Sequence, residues 1–144
     1  MKNKKGFTLV ELIVVITVTT ILLGTVISIF LQSVDMFKID ETKSANQDSL
    51  NVASTSIESK IRTASAVSGT GSVCVVTTAA GDYTYSLDTS TNILTVNASY
   101  LTGRIAAFSC TVTGDVVSLS ITTVNDRTGT PQSLNTTIVL RKGD

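Results

Sequence analysis

Between Phe7 and Leu31 the chain carries an apolar run in which Glu11 is the one charged residue. As a helix this run would extend about 37 Å, enough to cross a hydrocarbon core of about 30 Å. A cleaved secretory signal has a shorter apolar core of about 7–15 residues, followed by a small-x-small cleavage site. Because this run is longer and ends without such a site, we predict a membrane-anchoring helix.

The charges on either side of the run predict its orientation. Three lysines precede it, and charges of both signs follow it. Because cytoplasmic flanks of membrane helices carry an excess of Lys and Arg, the amino end is predicted to be cytoplasmic. Everything after Leu31 is then predicted to lie outside. The flanking residues are Lys2, Lys4 and Lys5 before the run, and Asp35, Lys38, Asp40 and Glu41 after it.

The composition argues against several classes of function. The chain has 11 basic and 11 acidic residues, and His is absent from the whole sequence. Without His it lacks the commonest general base and the commonest metal ligand, so we expect no catalytic site, no metal and no cofactor. Arg104, Arg127, Arg141 and Lys142 form at most a modest basic patch and are better explained as solvated charges. Nucleic acid is therefore an unlikely partner, although the sequence does not exclude it.

Beyond the apolar run, an amphipathic helix is predicted over residues 32–67. No Gly or Pro interrupts this segment, and its apolar residues recur at steps of three and four, as one helix face requires. The stripe is weakest over residues 40–46, where a kink or loosening is an alternative. The stripe residues, beginning at the end of the apolar run, are Phe30, Val34, Phe37, Leu50, Ala53, Ile57, Ile61 and Ala64.

Residues 68–144 are predicted to form a β-rich globular domain. Gly69 and Gly71 are expected to end the helix, and the rest is rich in Thr, which favours strands. Short segments of this type alternate with turn residues. The predicted strands are 73–78, 83–87, 93–96, 105–113, 116–123 and 136–141. The expected fold is α+β, with a long amino-terminal helix packed on a small antiparallel sheet that buries Leu50, Ile57 and Ile61.

The amino terminus, KKGFTLVELIVVITV, resembles that of a type IV prepilin: a short basic leader, a glycine, an aromatic residue, and an acid near the start of a long apolar helix. The helix-then-strands layout resembles the same family across the whole chain. The resemblance implies that residues 1–6 are a leader, which a prepilin peptidase removes by cutting between Gly6 and Phe7. It also implies N-methylation of the new amino terminus at Phe7.

The resemblance also gives Glu11 a role as an assembly contact. In the family, the corresponding acid is taken to pair with the terminal amine of the neighbouring subunit in the filament. The alternative is an interfacial Glu that reaches the headgroups or pairs with its own amine. An acid deep in lipid costs on the order of 2.5–3.5 kcal/mol on insertion scales, so it tends to be kept where it finds a partner.

The resemblance implies a non-enzymatic filament subunit, which we interpret as a minor pilin of a type IV pilus-like fibre. The alternatives are a pseudopilin of a type II secretion or DNA-uptake system, a major pilin, and, outside this class, a single-pass surface-anchored binding module. The implied partners are the prepilin peptidase, other pilin subunits, an inner-membrane assembly platform with its motor, and the lipid bilayer before assembly. The implied location is the cell membrane first and a surface filament afterwards.

Two further features leave alternatives open. Cys74 and Cys110 are the two cysteines, and each lies within a predicted strand on the outer side. They can form one disulfide or remain as buried thiols, and we favour the disulfide. Asn97 and Asn135 match the glycosylation acceptor pattern, which we interpret as chance because a three-residue pattern is a weak signal.

Overall fold

The computed structural model describes residues 8–140, and within them one helix is followed by eight strands. The elements are α1 (Leu9–Ile61), β1 (Ala64–Thr70), β2 (Val73–Thr78), β3 (Gly81–Asp88), β4 (Ile93–Val96), β5 (Ser99–Thr102), β6 (Ile105–Thr113), β7 (Val116–Thr123) and β8 (Ser133–Val139).

The chain divides into two compact units, the first ending at Lys38 and the second beginning at Ile39. In the first unit, the described residues other than Thr8 all belong to α1. The second unit holds the rest of α1 and every strand between residues 39 and 140. The core described below therefore belongs to the second unit.

Within the second unit, α1 buries a stripe of side chains at the spacing that one helix face requires. Leu50, Ile57 and Ile61 are 7%, 0% and 1% exposed, which confirms the burial predicted for these three residues. The opposite face stays open, as the 46% exposure of Val52 shows. The buried residues of the stripe are Asn46, Ser49, Leu50, Ala53, Ser54, Ile57 and Ile61.

The strands form two antiparallel sheets, one with the order β1-β2-β3-β4-β5 and one with the order β6-β7-β8. Both sheets contribute buried side chains to the same core as the helix stripe. In β7, which the sequence predicted as a strand, buried residues alternate with more exposed ones, as expected of a strand with one face on the core and one towards solvent. The buried apolar strand residues are Cys74, Val76, Tyr85, Leu94, Ile105, Phe108, Cys110, Val117, Leu119, Ile121 and Ile138.

The α+β class is confirmed, but the predicted helix end is wrong. The helix was expected to continue to residue 67, whereas α1 ends at Ile61 and residues Ala64–Thr70 form β1. At the helix end, the Lys60 carbonyl accepts hydrogen bonds from both the amide and the hydroxyl of Thr63, each at 3.1 Å. Residues 40–46, where a loosening was considered, are helical throughout.

β5 was not predicted from the sequence, and the reason lies in the turn that precedes it. β4 and β5 are joined by the two-residue turn Asn97–Ala98, in which both residues have positive φ, 49° and 62°. This is the geometry of a type I′ hairpin turn, which Gly usually permits in its second position. Because Ala98 stands there instead, the sequence lacks the usual hairpin signal.

We expect Ile57→Ala to lower the free energy of unfolding by about 2–5 kcal/mol, because it removes a fully buried side chain at the centre of the helix stripe. Val52→Ala on the open face of the same helix serves as the matched control and should cost far less. Chemical denaturation of both variants in detergent measures the difference. Equal losses for the two variants would contradict the packing described here.

Candidate functional site

The first unit presents apolar side chains that nothing in the described chain covers. Leu9 is 75% exposed, and the large apolar residues from Val10 to Leu31 are exposed by half or more. The most apolar 18-residue window of α1 has a mean hydropathy of 2.6 and is 0% buried. By length and composition, this helix is able to cross a membrane.

The amino end of α1 is capped by Thr8. Its hydroxyl accepts a hydrogen bond from the Glu11 amide (3.3 Å), and its carbonyl accepts one from the Leu12 amide (3.2 Å). Thr8 and Glu11 stand three residues apart, which is the capping-box pattern of Thr at the cap and Glu at the third helical position. The Glu11 carboxylate thus lies in the first helical turn, where the partial positive charge of the helix end favours an anion.

Sequence reasoning singled out Glu11 but missed Thr8, although the spacing of these two residues was a readable signal. Gly6 and Phe7, the predicted cleavage and methylation residues, lie outside the described residues. Among the described residues, the structure thus places Glu11 next to its helix cap, Thr8.

The hydroxyls along the apolar helix bond to the helix itself. Thr17, Thr19 and Thr20 donate to the carbonyls of Ile13, Val15 and Ile16, at 2.8, 2.7 and 3.0 Å. Thr25 and Ser28 donate in the same way to Leu22 and Gly24. Each of these hydroxyls thus bonds back to a carbonyl about one turn earlier in the same helix.

A buried amide, which the sequence did not point to, ties α1 to two loops. Asn46 is 0% exposed, and its side-chain amide donates to the Val124 carbonyl at 2.9 Å. Its side-chain oxygen accepts a hydrogen bond from Nε of Arg104 at 2.7 Å. Arg104, which was considered as part of a basic patch, is thus engaged in holding the fold.

Each cysteine lies within a strand, as predicted, and the two strands belong to different sheets, Cys74 on β2 and Cys110 on β6. Their sulfur atoms are in contact and their Cα atoms are 5.6 Å apart, within the range at which disulfides form. On the neighbouring strand β1, the position of Gly69 has no room for a side chain, because an added Cβ would come within 2.5 Å of the Cys110 carbonyl oxygen. This geometry favours the disulfide over two separate thiols.

Two carboxylates in the second unit, those of Asp88 and Asp126, accept hydrogen bonds from the turns that follow them. The Ser90 and Thr91 hydroxyls and the Ser90 amide donate to Asp88 and lower its pKa to about 2. Buried Asp126 accepts hydrogen bonds from Thr128 and from the Thr130 amide, which lower its pKa. Within residues 8–140, no group of three His, Cys, Asp or Glu side chains is placed to hold a metal ion.

The comparisons with known proteins give one match. Residues 1–27 match the family model described as "Prokaryotic N-terminal methylation motif", which is the type IV prepilin signature. No curated protein and no solved structure matches the chain. With the long apolar helix and the antiparallel sheets, the match supports a pilin-like architecture and a membrane-anchored protein of the pilin type. It suggests a structural subunit rather than an enzyme, and it implies processing by a prepilin peptidase and assembly with other pilins.

We expect no free thiol in the denatured, unreduced protein and two after reduction, because Cys74 and Cys110 are placed to pair. Alkylation followed by mass spectrometry counts the thiols. Cys110→Ser, which should show one thiol with or without reduction, calibrates the labelling. Two labelled thiols before reduction would exclude the disulfide. In the chain-entropy model, a bridge across 36 positions contributes roughly 3–4 kcal/mol to stability.

Proposed function

We propose that this chain is a minor pilin, a non-enzymatic subunit of a type IV pilus-like filament. In this proposal residues 1–6 are removed as a leader, and residues 7–31 form the segment that first anchors the chain in the membrane and then assembles. The rest of α1, up to Ile61, links this segment to the β-rich domain, which begins with β1 at Ala64. The inner-membrane platform and its motor then draw the subunit out of the bilayer and into the fibre.

The observation that carries the proposal is the match of residues 1–27 to the methylation motif, at the start of a helix whose apolar side chains are left uncovered. The same helix buries its stripe from Asn46 to Ile61 against its own sheets. An apolar surface of this length requires lipid or other protein around it. In the proposal, lipid covers this apolar surface before assembly, and the helices of neighbouring subunits cover it afterwards.

Processing between Gly6 and Phe7 follows from the residue types. Gly6 has no side chain, so the backbone there can lie extended and close to the peptidase. The leader lysines are attracted to anionic headgroups on the cytoplasmic face. Because the apolar run follows the cut, the mature chain keeps its anchor, in contrast to a secreted protein.

Glu11 is proposed to pair with the methylated amine of Phe7 on a neighbouring subunit. The carboxylate lies on an exposed face in the first turn of α1, and the surrounding side chains are apolar. In such surroundings an unpaired carboxylate is costly, and a fixed positive amine offsets that cost. Because the amine exists only after cleavage, the contact would select processed subunits and set their axial register.

We expect mass spectrometry of the mature protein from its native membrane to find a chain that begins at N-methylated Phe7. Gly6→Val, which adds a branched side chain at the cleavage site, should leave the leader attached. The same measurement separates the rival class, because a single-pass binding module would retain Met1 or be cut after Leu31. Either of those termini in the unaltered chain would overturn the proposal.

We expect Glu11→Ala to be cleaved and methylated normally but to enter filaments at least about tenfold less, because the amine of Phe7 would lose its partner charge. Glu41→Ala, which removes another exposed carboxylate of α1, is the matched control. Immunoblots of sheared filaments and of membranes measure the partition. Normal recovery of Glu11→Ala in filaments would exclude the pairing while leaving the pilin class intact.

The minor-pilin assignment is tested separately by copy number. Quantitative mass spectrometry of purified filaments should find this chain far below the main shaft subunit. A chain that makes up most of the filament would instead be a major pilin. A chain found only with a secretion or DNA-uptake apparatus would be a pseudopilin.

A further inference from the structure

β8 presents an open edge without the features that usually protect one. Among the described residues it pairs with β7 alone, and that pairing runs from Ser133 to Val139 without a register shift. None of its seven residues is charged and none is Pro. Natural edge strands are usually protected by charges, prolines, bulges or short length, because an open edge accepts further strands.

The other sheet edges are interrupted. β5 has four residues, and its pairing with β4 contains a register shift. β1 and β6 each contain a shift, and they approach one another where the Cys110 amide donates to the Gly71 carbonyl at 2.9 Å. β8 is therefore the longest regular edge available to a partner in the part of the chain that the structure describes.

The hydrogen bonds at both ends of β8 show which backbone groups face outward. The Thr123 amide donates to the Gln132 carbonyl at 2.9 Å, and the Leu140 amide donates to the Asp115 carbonyl at 2.7 Å. Hydrogen-bonded and non-hydrogen-bonded pairs alternate along an antiparallel ladder. The even-numbered residues between these ends therefore bond to β7, and the odd-numbered ones present their amides and carbonyls to the open edge. These outward residues are Ser133, Asn135, Thr137 and Val139.

We propose that β8 pairs antiparallel with β8 of a second copy of this chain, in the register centred on Thr136. This register opposes all seven residues of both strands, a length of about 24 Å. Asn135 then faces Thr137 of the second copy, and each such pair exchanges two backbone hydrogen bonds. No charge meets a like charge, and the amide and hydroxyl side chains of an opposed pair can bond to each other.

A groove at one end of β8 supports the choice of a second copy as the occupant. It has a volume of about 480 Å³ and is lined by Arg62, Ile138, Val139 and Leu140. In the proposed register the second copy's Gln132 lies opposite Leu140, and its Pro131 follows Gln132 at that end of the strand. Pro131 is exposed, and its apolar ring suits the apolar wall of this groove. The two-fold symmetry of the pairing fills the same groove on both copies.

This contact goes beyond the proposed filament function and does not depend on it. A two-fold contact is isologous and closes on itself, whereas a growing fibre needs head-to-tail contacts between its subunits. The β8 contact therefore pairs chains with one another rather than extending a fibre.

The test uses full-length protein in detergent micelles and mixes an Asn135→Cys chain with a mass-tagged Thr137→Cys chain under mild oxidation. The control mixture, Ala66→Cys with Ser68→Cys, places two exposed cysteines at the same spacing on β1 of the same protein. We expect at least about tenfold more mixed disulfide dimer from the β8 pair, because its opposed Cα atoms would lie within disulfide range. Equal yields from both mixtures would overturn the proposal.

A charge test covers the case in which a cysteine variant folds poorly. A chain with Asn135→Lys and Thr137→Lys should not pair with itself, since opposed lysines repel, but should pair with a chain carrying Asn135→Glu and Thr137→Glu. Tagged co-purification measures the selectivity, and circular dichroism checks the fold of each variant. Lysine chains that associate with one another as readily as with the glutamate chains would also overturn the proposal.

Discussion

The buried amide of Asn46 is the contact on which the arrangement of the second unit depends. An amide without solvent must bond to fixed partners, because a buried unsatisfied polar group costs about 1–3 kcal/mol. Its partners, Val124 and Arg104, lie on the connections before β8 and β6. Sliding or rotating α1 would break both bonds and move the apolar stripe out of register with the sheets. Hydrophobic burial thus supplies the stability, and one polar residue sets the alignment.

The parts of the fold that could be predicted are those in which side-chain periodicity is strong. The stripe of α1 and the alternation in β7 indicated their elements because each buries one face against the core. β1 could not be recognised, since its small residues Ala, Ser and Gly carry no clear period and Ala64 extends the helical spacing. β5 was missed because its turn uses Ala98 where a glycine is the usual signal. Both segments form strands because they pair with a neighbouring strand, β1 with β2 and β5 with β4.

The residues described under the candidate site also differ in whether the sequence alone pointed to them. Glu11 could be singled out as a candidate because a charge in an apolar run stands out, and Cys74 and Cys110 because cysteines are few and their strands were recognised. Thr8 was overlooked because a hydroxyl near a helix start is common, although its spacing to Glu11 fits a capping box. Asn46 could not be identified from the sequence, because its role depends on hydrogen bonds to residues 58 and 78 positions away.

The hydroxyls bonded to their own helix have a consequence for how that helix responds to its surroundings. Thr17, Thr19, Thr20, Thr25 and Ser28 already have acceptors within α1, so neither lipid tails nor packed protein needs to offer them one. A change from one apolar medium to the other thus leaves their polar interactions unchanged. An ionised carboxylate has no proton to donate and cannot bond to a helix carbonyl in this way. In the proposed assembly, Glu11 is accordingly the side chain whose polar partner would differ between lipid and the packed filament.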